Sequence, residues 1–146
     1  MSNLLLIDNR LHDTDIVVNS LTENTKYIIL DYQNDTLQSI LDKIQKLNIT
    51  NFTNIGIFQE NYNLRTYSLV NSFGESKLRN IQEIDPNLES WNIFKTLIQT
   101  LKNNYGMSNL DLMGCSIHSN SNWNYVIDKF SYIYFRTKFI NNIIPI

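Results

Sequence analysis

The 146-residue sequence predicts a three-layer α/β sandwich with a central, mostly parallel sheet. Three observations predict it. Short apolar runs recur at residues 4–7, 26–30, 54–58 and 110–113, each the length of a strand buried on both faces. Between them lie segments whose apolar residues repeat at helical spacing. That alternation demands right-handed crossovers and a sheet covered on both sides. The expected strand order is 2-1-3-4, with a fifth strand unplaced. No linker or internal repeat interrupts residues 1–146, so a single domain is expected.

The first run, Leu4-Leu5-Leu6-Ile7, closes at Asp8-Asn9 and reads as a central strand. Residues 15–21 suit a short helix, with Asp13 as its cap. Lys26-Tyr27-Ile28-Ile29-Leu30 is the second strand, closed by Asp31. Leu37, Ile40, Leu41, Ile44 and Leu47 then share one helical face. Asp35 is the expected N-cap of that helix, with Gln38 at the N3 position of a capping box. Asn54-Ile55-Gly56-Ile57-Phe58 is the third strand. Residues 64–70 alternate weakly and suit a hairpin arm, and Gly74-Glu75-Ser76-Lys77 reads as a polar loop. Pro86 precedes a second periodic helix through Trp91, Phe94, Leu97, Ile98 and Leu101, stopped at Gly106. The fourth strand is 110–113. A helix capped by Asn120 or Ser121 carries Trp123, Val126, Ile127 and Phe130. Residues 132–135 suit a fifth strand, and 139–146 are apolar but irregular. The expected core includes Leu5, Ile7, Ile29, Leu41, Ile57, Phe94, Leu97, Leu112 and Ile127.

Composition narrows the function classes. The net charge is -2 and the basic residues are scattered, which leaves no electrostatic footprint for nucleic acid. No apolar run reaches the 18 residues of a membrane span, and Met1-Ser2-Asn3 does not open a signal peptide. One cysteine forms no internal disulfide, so a reducing, intracellular setting is expected, or a virion. The chain has no alanine, 22 asparagines and 20 isoleucines. Alanine codons are G+C-rich and the other two are A+T-rich, so the expected source is an A+T-biased genome such as that of a large DNA virus or a low-G+C microbe. The same bias turns most asparagines into drifted surface positions.

The lone cysteine sits at the end of the fourth strand, in Asn109-Leu110-Asp111-Leu112-Met113-Gly114-Cys115. In parallel α/β sheets the carboxyl ends of strands are where ligands and catalytic groups gather. The same edge is expected to collect Asp8, Asp31, Gln59 and Glu60.

Leu6-Ile7-Asp8-Asn9-Arg10 resembles the opening of the DUF4347 domains. Asp31 with Asp35-Thr36-Leu37 resembles that family's second strand and following helix. Leu110-Asp111-Leu112-Met113-Gly114-Cys115 resembles its strand ending in Gly-Cys. Asn122-Trp123 and the helix after it resemble a subgroup from A+T-rich genomes. The similarity spans roughly residues 4–130 and lies in the order and spacing of short motifs. It implies a caspase-like fold, in which a histidine after the third strand and a cysteine after the fourth form a peptidase pair. Cys115 matches the cysteine. Glu60 stands where the resemblance implies the histidine, and the family's closing segment has no counterpart before Ile146.

A free thiol has a pKa of about 8.5 and needs a nearby cation or helix N-terminus to ionise at neutral pH. A carboxylate at Glu60 pushes the other way. His118, three residues beyond Cys115, is the remaining candidate base. Cys115 therefore reads as a nucleophile or as a small buried apolar residue, and the second reading is preferred. His118 reads first as a solvated loop residue. Cys115, His118 and His12 together match no zinc spacing. Asp8 and Asp31 read as a magnesium-binding pair or as strand-ending residues bonded to turn amides, with the latter preferred. No Walker or GxGxxG loop is present, so no cofactor is expected.

Two function classes remain. One is a non-enzymatic interaction or assembly protein on a degenerate caspase-like fold. The other is a divergent cysteine peptidase or thiol hydrolase using Cys115. The apolar 132–146 segment at a sheet edge points to a protein partner or to a second copy, as a homodimer.

Overall fold

The computed structural model describes residues 2–11, 14–59, 66–67, 69–73, 76–77, 89–113 and 136–140. Five strands, β1 (Ser2–Asp8), β2 (Thr25–Leu30), β3 (Phe52–Phe58), β6 (Asn109–Met113) and β7 (Arg136–Ile140), form one sheet. Its order is β2-β1-β3-β6-β7 and every neighbouring pair is parallel. The expected order 2-1-3-4 holds, and β7 extends it. A separate ribbon pairs β4 (Thr66–Tyr67) with β5 (Ser76–Lys77) in antiparallel fashion.

Alternation along the strands divides the core in two. Leu4, Leu6, Ile28, Leu30, Ile55, Ile57 and Leu110 point to one face. There they pack with α2 (Leu37–Gln45) and α3 (Glu89–Tyr105), through Ile40, Ile44, Phe94, Leu97, Ile98 and Leu101. Leu5, Ile7 and Phe58 point to the other face, against Val17 and Val18 of α1 (Thr14–Asn19). Two helical layers thus enclose the sheet. Gly56 makes room on the sheet for side chains of the two neighbouring strands, because Met113 Cε and Leu5 Cδ1 fill the space that a Cβ there would need.

Several local expectations are corrected. Thr36, not Asp35, caps α2: its hydroxyl accepts from the Ser39 N–H at 3.2 Å, and the Thr36 N–H donates to Ser39 Oγ at 2.7 Å. The box is therefore Thr36–Ser39 and does not use Gln38. Ser76 and Lys77, expected in a loop, are strand. Phe139 and Ile140, expected to be irregular, lie in β7, paired with Leu112 and Met113. Leu41 and Ile29 are half-buried, while Ile40 and Ile28 are buried more deeply. Gly106 ends α3 at φ +71°, as expected, and its N–H donates to the Lys102 carbonyl at 3.1 Å. The 132–135 strand, the 121–130 helix, Ile127 and Asp13 lie outside the described residues.

Asparagine also has a structural role that the sequence reading did not give it. Asn3, Asn54 and Asn109 stand in register on β1, β3 and β6. The Asn54 amide donates to Asn3 Oδ1 at 3.0 Å, and the Asn109 amide donates to Asn54 Oδ1 at 2.7 Å. This ladder ties three central strands together near their amino ends.

Candidate functional site

At its carboxyl edge the sheet presents the turns that leave β1 and β2 and the last residues of β3 and β6. β1 carries a wholly apolar run into Asp8, which is 1 % exposed. A carboxylate buried that deeply needs a cation and hydrogen bonds. Arg10 supplies both: Nη2 lies 2.8 Å from Asp8 Oδ2, Nε donates to both carboxylate oxygens at 3.1 Å, and the Arg10 N–H donates to Oδ1 at 2.9 Å. The guanidinium lies 3.6 Å from the centroid of the Tyr32 ring, on the turn after β2. Asn9 reinforces the junction, since its side chain accepts from the Tyr32 N–H at 3.0 Å.

Asp31 and Asp35 shape that second turn. Asp31 accepts from the Gln33 and Asn34 N–H groups and from the Asn34 side chain. The Asn34 contact is the main reason its carboxyl titrates below the ordinary aspartate value. Asp35 is buried and accepts from Lys43 Nζ at 2.6 Å, the Asp31 N–H at 2.7 Å and the Ser39 hydroxyl at 2.7 Å. Burial pushes its carboxyl up, but the bonds from Lys43, Asp31 and Ser39 together hold it below the ordinary value. The segment 69–73 docks on the same turn. The Asn71 N–H donates to the Tyr32 carbonyl at 2.8 Å, and the Ser72 hydroxyl donates to the Asp35 carbonyl at 2.7 Å.

β3 and β6 are paired up to Phe58 and Met113, and the Gln59 N–H donates to the Met113 carbonyl at 3.0 Å. Gln59 is buried. The two strands that lead in sequence to Glu60 and to Cys115 are therefore hydrogen-bonded neighbours at the sheet's carboxyl edge. Glu60, Cys115, His118 and His12 lie outside the described residues. Asp8 and Asp31 are engaged with Arg10 and with turn amides respectively. Among the described residues no group of three His, Cys, Asp or Glu side chains is gathered to hold a metal ion. Nor is any described helix long and apolar enough to cross a membrane.

Asp8 and Asp31 are legible in the sequence as residues of this edge, but the cations that pair with Asp8 and with Asp35 were missed. Arg10 two residues past a buried aspartate was the available signal for the ion pair. Lys43, two helical turns after Asp35, was the signal for the second.

No family model matches the chain. No curated protein matches it either. Among solved structures, a short-chain dehydrogenase family protein from Francisella tularensis is similar at TM-score 0.42 and 12% identity, with 95% of this chain and 68% of that chain covered.

Proposed function

We propose that this chain is a protein-interaction or assembly module on a degenerate caspase-like domain, related to the DUF4347 family and without peptidase activity. One observation carries the reading. β3 and β6 are adjacent, so a base for a thiol after β6 would come from the end of β3. The residue that follows buried Gln59 there is Glu60, a carboxylate. A carboxylate at that strand end would oppose ionisation of a thiol after β6 and does not replace an imidazolium. The charge at the neighbouring strand ends supports the same reading, because Asp8, Asp31 and Asp35 are each spent on building turns.

The partner in this proposal is another protein chain, with a second copy as the first choice. β7 is the outermost strand in the described sheet and runs from Arg136-Thr137-Lys138 into the apolar end of the 132–146 segment. The outer edge of such a strand, with the apolar residues that follow it, is a pairing surface. Light scattering over a concentration series is expected to give a dimer at tens of micromolar, roughly where weak pairs assemble. Truncation after Ile140 keeps β7 whole and is the variant to compare. A monomer for the intact chain rules out self-association.

The alternative, a thiol hydrolase using Cys115 with His118 as base, draws instead on the sequence position of His118, three residues after Cys115. A broad peptide library separates the two. No turnover is expected. Turnover that disappears in Cys115→Ala would overturn the proposal.

A further inference from the structure

On the α2/α3 face a groove of about 510 Å³ lies between the two helices and the segment that follows α2. That is the size of a small-molecule site. Helices on one face of a sheet ordinarily close such a gap with apolar side chains. Here the α2 wall presents Asp42 and Gln45, and the α3 wall presents Asn104. Asn48, held at φ +55° just after α2, closes one end. Below them lie the half-buried Leu41, Ile49 and Tyr105. The Tyr105 ring is braced against buried Phe52, with centroids 5.7 Å apart.

We infer that this groove binds a small neutral polyhydroxylated molecule of the saccharide class. Four amide side chains line the groove; that of Gln38 donates to Asp42 at 2.9 Å, and those of Gln45, Asn48 and Asn104 offer donors and acceptors together, which suits hydroxyl groups that also do both. The braced tyrosine and two aliphatic side chains form an apolar floor for the C–H face of a sugar ring. Anions are disfavoured. α2 ends at Gln45 and α3 at Tyr105, so the negative ends of two helix dipoles meet the groove beside Asp42. No lysine or arginine is among the described lining residues. The groove is open and its rim residues are exposed, so affinity on the order of 1 mM is expected. The inference does not depend on the fate of Cys115.

The test is amide chemical-shift mapping on the full chain with maltose, N-acetylglucosamine and inositol at about 10 mM. Inorganic phosphate and spermidine serve as anionic and cationic arms. At least one neutral compound should shift Gln45, Asn48 and Asn104 together. Its binding should weaken roughly tenfold or more in Asn104→Leu and in Gln45→Leu. Both positions are exposed on helices, and either variant alone decides if the other fails to fold. The inference is overturned if no neutral compound shifts these residues, if binding survives the substitutions, or if only phosphate or spermidine binds.

Discussion

Asp35 joins three parts of the carboxyl edge through one carboxylate: the end of β2, the first turn of α2 and the Lys43 ammonium. Its folded-state pKa lies below the ordinary value of 3.8. The stability it contributes is therefore complete above that value and is lost as pH falls through it toward the folded pKa. Asp31, shifted in the same direction, adds to the same acid limb. Urea denaturation of Asp35→Asn should show a loss of about 1–3 kcal/mol at neutral pH and a flatter fall in stability below about pH 4. An unchanged acid limb would assign that limb to other groups. Arg10→Ala leaves the Asp8 carboxylate buried without its cation. The expected cost is about 3 kcal/mol, at the lower end for a broken buried pair because Arg10 is itself partly exposed. A loss under about 0.5 kcal/mol would mean that Asp8 is held by other groups. At this scale the sequence was least legible. Asp8 and Asp31 could be read as strand ends, but the guanidinium that stacks on Tyr32 comes from another turn. The Asn3–Asn54–Asn109 ladder was hidden for a different reason. In a chain with 22 asparagines, three that happen to share a register do not stand out.

Among the elements, α2 was easy to find and its start was hard to set. Its apolar spacing fixed the buried face, but two adjacent residues, Asp35 and Thr36, both have cap chemistry. The ion pair between buried Asp35 and the partly exposed Lys43 decides between them. It holds the Asp35 side chain, and the Thr36 hydroxyl takes the Ser39 N–H. The same helix separates a core position from its neighbour. Ile40 is fully buried, whereas Leu41 is half-buried at the floor of the α2/α3 groove. Ile40→Ala should cost about 2–5 kcal/mol, and Leu41→Ala clearly less. Equal losses in chemical denaturation would contradict the packing described. Where apolar periodicity was strong, as in β1, β3 and α3, type and position were both legible. β5 has two residues and no apolar pattern, and β7 opens with Arg136-Thr137-Lys138, so neither carried a strand signal.

For the whole molecule, topology follows from the alternation of strands and helices together with right-handed crossovers. This is why the order of the first four sheet strands is legible in the sequence. Function is less legible, because a parallel sheet of this kind serves many chemistries and only the side chains at its carboxyl edge discriminate. Here those side chains are turn-building carboxylates, a buried glutamine and a strand that leads to one cysteine. On the proposed reading Cys115 is not an activated nucleophile. The most direct test of that claim is the rate at which a thiol reagent modifies Cys115 across about pH 5–10. The predicted result is either no modification of the folded protein or a rate that rises with a midpoint at or above about pH 8.5. A fast reaction with a midpoint below about pH 7 would show a thiolate stabilised by a nearby cation, and would contradict the claim.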